Sequence, residues 1–572
     1  MSWEVWTMKS RTSFFNGTAL RKDITRFAPV WGLYSVFLLL MLLLQSRDSL
    51  HDALIETVSS GGGLTVINLI YAAICAALLF GDLFQSRMCN MLHAMPLRRE
   101  GWFLIHVMAG LLFSFVPNLF YTAAALLLMG ADHYLALVWL AIMSLEFLFF
   151  FGVGCFAALC AGNRFAMLTI YGIVNFLSEL AYLLVNTIYR PLLYGITLRN
   201  ASFRFFCPAT HLGTNDFFEY FYVRILGEAR MQIDTVNWSL WYYLFVAAAL
   251  GLLFMGVAHW LYRRRAMESA GDFIAFRPLA PVFLVIYTLS VGTLMFSIAE
   301  LIADALEYVF LIIGLVVGFF TGRMLLDRTV KVFRPKVLLK FALLIATLFV
   351  SLGLLWMDPL GIINYVPKAQ EIRSIQIYTL DMRLPYNHDR RGLVDTYRLT
   401  SKEDIETIRA MHQTILRDRT EESYDTPVLY LTYEMEDGTT VQRRYPVRAD
   451  SDAGKTLKAY FSDWRYIFQT NAEWGELTSR IQHCVAQYES KVADLSALME
   501  AVRADCEAGT FVQDWEFHRD EYFDCWLEFQ YTTDNGEIAT LELRVYPSCE
   551  NVIRFLKEHG YYEEYQDYII YD

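Results

Sequence analysis

Between residues 81 and 102 the sequence reads GDLFQSRMCNMLHAMPLRREGW, which crowds Asp82, Arg87, His93, Arg98, Arg99 and Glu100 between two long apolar runs. Guanidinium groups at this density suit charge-assisted, two-pronged hydrogen bonds to carboxylates on another protein. The segment is too polar to stay in lipid, because an Arg or Asp at the centre of a membrane helix costs about 2.5–3.5 kcal/mol, so it must emerge. Leu83, Met88, Met91, Leu92 and Met95 recur at helical spacing before the break, which predicts a short amphipathic helix at the interface. Pro96 ends that helix and a new one begins. The other use of these arginines is to hold the loop against anionic headgroups.

Catalytic chemistry is sparse. Neither HExxH nor GxSxG occurs. Residues 449–456, ADSDAGKT, end like a phosphate-binding loop, but Ala449 stands where the first glycine is needed. The histidines are scattered, which reads as local hydrogen bonding rather than metal ligation. The nine cysteines form no CxxC or Cys/His cluster; Cys525 and Cys549 could meet across a hairpin, although free thiols are expected. The chain is therefore expected to be no enzyme and to bind no metal or cofactor directly.

Two carboxylates fall inside apolar runs, Glu146 and Glu179, and charge at that depth faces a protein interior or a wet cavity. They are candidates, with Asn175, for a translocation path. The competing reading has each protonated, or hydrogen-bonded to Asn175, Ser178 or a neighbouring helix. Pro117 followed by Asn118 should loosen or kink its long helix. Gly314, Gly318 and Gly322 repeat every four residues and make a flat face for close helix packing, within one chain or between two.

The elements that must position these residues are membrane helices. A chain of 572 residues that is 55% hydrophobic is too apolar for a soluble protein of this size. Nine crossings are expected, at 29–44, 64–80, 102–129, 134–160, 165–188, 238–262, 279–299, 305–322 and 337–356. A basic, partly apolar stretch at 14–26 precedes them as an interfacial elbow helix. With the N-terminus inside, nineteen Lys and Arg fall on cytoplasmic segments and six outside, which sets the orientation. Residues 81–101 are then cytoplasmic, and everything after Trp356 is outside. The long outer loop at 189–237 is rich in aromatic residues, which suits either short helices dipping back into the outer leaflet or a small packed cap.

The net charge of −12 is unevenly spread: residues 1–357 hold 25 basic and 20 acidic side chains, leaving 23 against 40 for the remainder. So acidic a tail does not suit nucleic acid. Residues 358–572 read as an α+β extracytoplasmic domain with a weak internal repeat. In each unit a helix (401–417, 495–507) precedes a hairpin (428–447, 526–547) turning at Asp437-Gly438 or Asn535-Gly536, and a helix follows (453–461, 549–559).

An elbow helix, six spans, the Leu-His-Ala-Met-Pro-Leu-Arg-Arg core at 92–99 after the second span and a long outer loop before the sixth together resemble the ABC-2 type permeases, the membrane subunits of ATP-binding cassette exporters. More narrowly, the chain is similar to Gram-positive bacterial members in which the six-span core (1–262) is extended by three spans (263–357) and an extracytoplasmic domain (358–572); YRRRAMESAGDFIAFRP at 262–278 resembles their linker. The resemblance implies that residues 82–100 form the coupling helix seated in a separate ATPase subunit, which would supply the ATP and Mg. It also implies a second permease chain, the same or related, and a bacterial plasma-membrane location. The competing class is a membrane sensor or scaffold whose outer domain binds a ligand or cell-wall component.

Overall fold

The computed structural model describes residues 15–44, 50–59, 62–94, 97–128, 132–189, 192–196, 200–225, 228–302, 306–379, 386–387, 392–393, 398–420, 426, 428–486, 490–513, 525–534 and 536–562. The chain divides into two units, one of Met1–Arg190 with Arg199–Ser351 and one of Pro191–Leu198 with Leu352–Asp572.

The first unit is mainly helical. Among the described residues, seven helices are long and apolar enough to cross a membrane, and two bent pairs raise the number to nine if each counts as one span. The nine fall where the hydropathy places them. The elbow is the helix Gly17–Arg26, capped by Asn16, whose side chain accepts from the Thr18 and Ala19 amides. It turns by 60° into Ala28–Leu43, with Pro29 in the first turn, where its missing N–H costs nothing.

His133–Cys160 is the helix the unit is built on, buried along most of its length. It packs against Gly62–Leu79, Arg99–Leu128 and Trp238–Arg264. The last of these crossings is close because a β-carbon on Gly152 would stand 2.2 Å from the Gly251 carbonyl oxygen, so only glycine fits there. The glycine stripe does the same within the chain. A β-carbon on Gly314 would meet Gly292 Cα and the Val291 carbonyl at 2.9 Å, and one on Gly318 would meet Val291 Cβ at 2.9 Å. Glu307–Asp327 thus lies against Leu279–Glu300.

Arg99–Leu128 runs through Pro117 as one helix. The proline cannot donate to the Phe113 carbonyl, and Tyr71 fills the gap, its hydroxyl donating to that oxygen at 2.9 Å. Asn118 does not open the helix either. Its amide donates to Ser114 O at 2.9 Å and to Tyr34 at 3.2 Å, while its oxygen accepts from Trp139 Nε1 at 3.2 Å.

The loop at 189–237 holds short helices and a hairpin that the sequence reading lacks. Short helices, Asn200–Phe205 and Pro208–Thr214, precede an antiparallel hairpin, Phe218–Ile225 with Glu228–Val236. The hairpin packs on a further helix, Leu50–Ser59: the Phe217 amide donates to Ser59 O and the Met231 amide to Asp52. Phe217 and Phe218 are buried, whereas Phe205 and Phe206 face outward.

In the second unit the repeat is fuller than the sequence suggests. Ile372–Thr379, Lys402–Asp418, Val428–Met435, Thr440–Pro446 and Asp452–Phe461 form strand, helix, hairpin and helix. The second copy runs Ile481–Ala486, Leu495–Glu507, Cys525–Thr532, Ile538–Val545 and Glu550–Glu558. Each first strand pairs antiparallel with the hairpin's first strand. Gly438 and Gly536 take positive φ at the two hairpin turns, as their sequence predicts, while Asn535 lies outside the described residues.

Candidate functional site: the 80–100 segment and the polar groups between the spans

The segment at 80–100 begins as a 3₁₀ turn, Phe80–Phe84, and continues as the helix Ser86–Ala94; the third span starts at Arg99. The expected helix over 82–100 is therefore shorter and later. Met95 and Pro96 lie outside the described residues, as do the side chains of Leu92 and His93. The buried face is also rotated from the expected one. Leu83, Phe84 and Cys89 point inward, Met88 is half-buried, and Met91 is exposed.

Asp82 and Glu100, expected to meet a partner, are turned to the chain itself. Asp82 is buried, and Arg26 at the end of the elbow donates to both its oxygens, at 2.9 and 3.2 Å. Glu100 pairs with Arg263 at the end of Trp238–Arg264. Arg99 is half-buried and donates to the Arg265 carbonyl at 3.3 Å. Arg87 and Arg98 are exposed.

Two anchors carried no signal in the sequence beyond their charge. Arg265 is buried, and its guanidinium donates to Ala158 O and Leu159 O at 2.9 and 3.0 Å and to Leu83 O at 3.3 Å. The carbonyls at the end of His133–Cys160 have no helical partner of their own, so a cation there satisfies them and meets the negative end of the helix dipole. The next residues complete that end, with the Ala275 amide donating to Cys160 O at 2.8 Å and the Gly271 amide to Gly162 O at 2.7 Å. The second anchor is Asp23 on the elbow, buried 2.9 Å from His106 Nδ1 on the third span.

Of the membrane carboxylates, Glu146 is fully buried. It accepts from Thr65 at 2.8 Å and from Asn68 at 2.9 Å, both on Gly62–Leu79, so a neighbouring helix holds it and Asn175 takes no part. Glu179 lies elsewhere, in the first turn of Leu177–Leu184, and accepts from Thr210 at 2.8 Å. Asn175 is buried at the end of Arg164–Asn175, its amide donating to Tyr171 O at 2.9 Å.

The loop at 449–456 forms no phosphate cradle. Ser451 caps the following helix by accepting from the Gly454 amide at 3.0 Å, and a β-carbon on Gly454 would stand 2.3 Å from Arg448 O. Among the described residues no group of three His, Cys, Asp or Glu could hold a metal ion. All nine cysteines, Cys525 and Cys549 included, are buried thiols outside any disulfide. No protein-family model, no curated protein and no solved structure matches this chain.

Proposed function

We propose that the chain is the membrane-spanning permease subunit of an ATP-binding cassette exporter of the ABC-2 type, driven by a separate ATPase. One observation carries the reading. The helix Ser86–Ala94 turns Arg87, Asn90 and Met91 outward, while its base is tied at several points to the helices that would move. Asp82 holds the elbow through Arg26, Leu83 O holds the end of His133–Cys160 through Arg265, and Glu100 holds Trp238–Arg264 through Arg263. A partner that pushed on the exposed face would therefore displace several helices as one body. In this reading the segment is cytoplasmic, the bilayer is the bacterial plasma membrane, and a second permease chain completes the pathway.

The test is copurification with an ATPase that carries a complete phosphate loop and is encoded beside this chain. The double substitution Arg87→Glu, Met91→Glu should abolish the complex, because it reverses the charge and removes the apolar contact of the exposed face. Asp82→Asn should keep the complex and lose substrate-stimulated ATP hydrolysis, since it cuts a link below the contact. An intact complex in the double variant would remove the coupling assignment.

A further inference from the structure

The fifth crossing is broken. Arg164–Asn175 and Leu177–Tyr189 meet at Phe176 with a bend of 67°. Such a break in apolar surroundings strips backbone groups of their helical partners, and other parts of the protein must supply them. Cys207, between the two short helices of the following loop, supplies one of them, and side-chain bonds tie those helices to the break. Cys207 Sγ donates to Asn175 O at 3.0 Å, Ser178 Oγ donates to Phe203 O at 2.6 Å, and Thr210 Oγ1 donates to Glu179 at 2.8 Å. Cys207 and Thr210 belong to one turn, since the Thr210 amide donates to Cys207 O at 3.1 Å, so a single turn holds both the Asn175 carbonyl and the Glu179 carboxylate.

What remains open there is of one kind. Asn175 is 2% exposed, and its Oδ1 has no partner among the described residues. Rotating the amide would only set that oxygen against the Tyr171 carbonyl, to which Nδ2 now donates. The Glu179 contacts to Thr210 and to Arg204, whose Nε stands 3.9 Å away, both go to Oε1, which leaves Oε2 open among the described residues. Arg204 is half exposed and too distant for a hydrogen bond. Open groups at the break are thus acceptors, one of them a carboxylate, and a buried acceptor is rarely left without a donor. Aromatic rings border the place, Tyr182 lying 5.4 Å from Phe203, and Leu177 is exposed beside it.

We propose that this break is a binding site for a primary ammonium group carried on an apolar chain. The ammonium has three N–H donors for the open oxygens, its charge matches Glu179, and its apolar chain suits the exposed apolar surface beside the break. As the substrate class of a transporter the site rests on the permease reading; as a binding site it is tested without the ATPase, so the two can fail separately.

The experiment uses the full-length chain in lipid nanodiscs, with empty nanodiscs as reference, and titrates n-octylammonium, octyltrimethylammonium and octanoate by calorimetry. Saturable binding of octylammonium is expected. Octyltrimethylammonium, which keeps the charge and has no N–H, should bind about tenfold more weakly or worse, and octanoate should not bind. Asn175→Leu and Glu179→Gln should each weaken octylammonium binding by about tenfold or more. Equal binding of octylammonium and octyltrimethylammonium, or affinity untouched by both substitutions, would reduce the effect to partition into the bilayer and overturn the site. The ligand series on the unaltered chain decides the matter even if a variant fails to fold.

Discussion

Tyr71 shows how a single hydroxyl can make a helix breaker harmless. Pro117 removes one donor from the third span, and the Phe113 oxygen it leaves behind takes its hydrogen bond from Tyr71 at 2.9 Å. Tyr71→Phe should therefore cost about 1–3 kcal/mol, the penalty of an unsatisfied buried acceptor. In a Pro117→Ala background the restored amide can satisfy Phe113, and most of that cost should vanish. A double-mutant cycle of thermal unfolding measures the difference, and equal costs in both backgrounds would show that the hydroxyl is not serving that oxygen. His412 makes a second residue-scale case in the C-terminal unit. It is fully buried, with Nδ1 2.8 Å from the Tyr433 hydroxyl and Nε2 2.6 Å from that of Tyr445. A neutral ring donates to one phenol and accepts from the other, whereas a protonated ring must donate to both. Burial, aided by the charges of Arg443 and Arg409, pushes its pKa down to about 3. The unfolded chain gains a proton near pH 6.5 that the folded one refuses, so stability is full above that pH and is lost as pH falls toward the folded value. Between pH 7.5 and 5 the loss should be about 2 kcal/mol. Hydrogen exchange of Lys402–Asp418, corrected for intrinsic rates, should show that drop, and His412→Gln should flatten it.

At the scale of elements, the glycine stripe gives the sharpest expectation. The atoms that a Gly314 side chain would meet include the Gly292 Cα and the Val291 carbonyl, and backbone cannot step aside as the end of a side chain can. Gly314→Val should cost about 1–3 kcal/mol by overpacking, while the same change at Gly353, which has nothing within 4 Å, should cost little. Equal thermal stability of the two variants would mean that the helices Leu279–Glu300 and Glu307–Asp327 do not need the close approach. The stripe was legible in the sequence because small residues at four-residue spacing lie on one helical face whatever surrounds them. The nine apolar runs were legible for a similar reason, since a bilayer demands length and apolarity of each run separately. Elements that owe their existence to a partner were not. Phe218–Ile225 and Glu228–Val236 alternate weakly and lean on Leu50–Ser59, a helix too short to announce itself. Ile372–Thr379 and Ile481–Ala486 are strands that are each completed by pairing with a strand about 40 or more residues further on, which a local reading does not reach. The candidate site divides along the same line. A proline and an arginine cluster marked the segment, yet only the folded chain shows that Asp82 and Glu100 are spent on Arg26 and Arg263.

For the whole molecule, parity constrains which end faces which side. Pro191–Leu198 belongs to the C-terminal unit, where the Arg444 amide donates to Gly195 O at 3.0 Å and the Thr420 amide to the Tyr194 hydroxyl at 3.2 Å. Gly195 has positive φ, and a β-carbon there would stand 2.0 Å from the Tyr445 ring, so this contact is fitted to glycine. Between that segment and residue 357 run Trp238–Arg264, Leu279–Glu300, Glu307–Asp327 and Pro335–Trp356. If all of them cross, the chain returns to the face it left, which is what membership of one unit requires. In the proposed orientation, with the N-terminus inside as the basic side chains suggest, that face is the outer one and the helix Ser86–Ala94 is expected on the other. Cysteine labelling on intact cells tests this directly. All nine native cysteines are buried, so a membrane-impermeant maleimide has little to react with in the unaltered chain. Lys455→Cys, at a side chain 71% exposed, should label from the medium. Met91→Cys, at a residue 49% exposed, should label only after lysis. Labelling of Met91→Cys on intact cells would put the exposed helix face beyond the reach of any cytoplasmic ATPase, and the permease reading would fall with it.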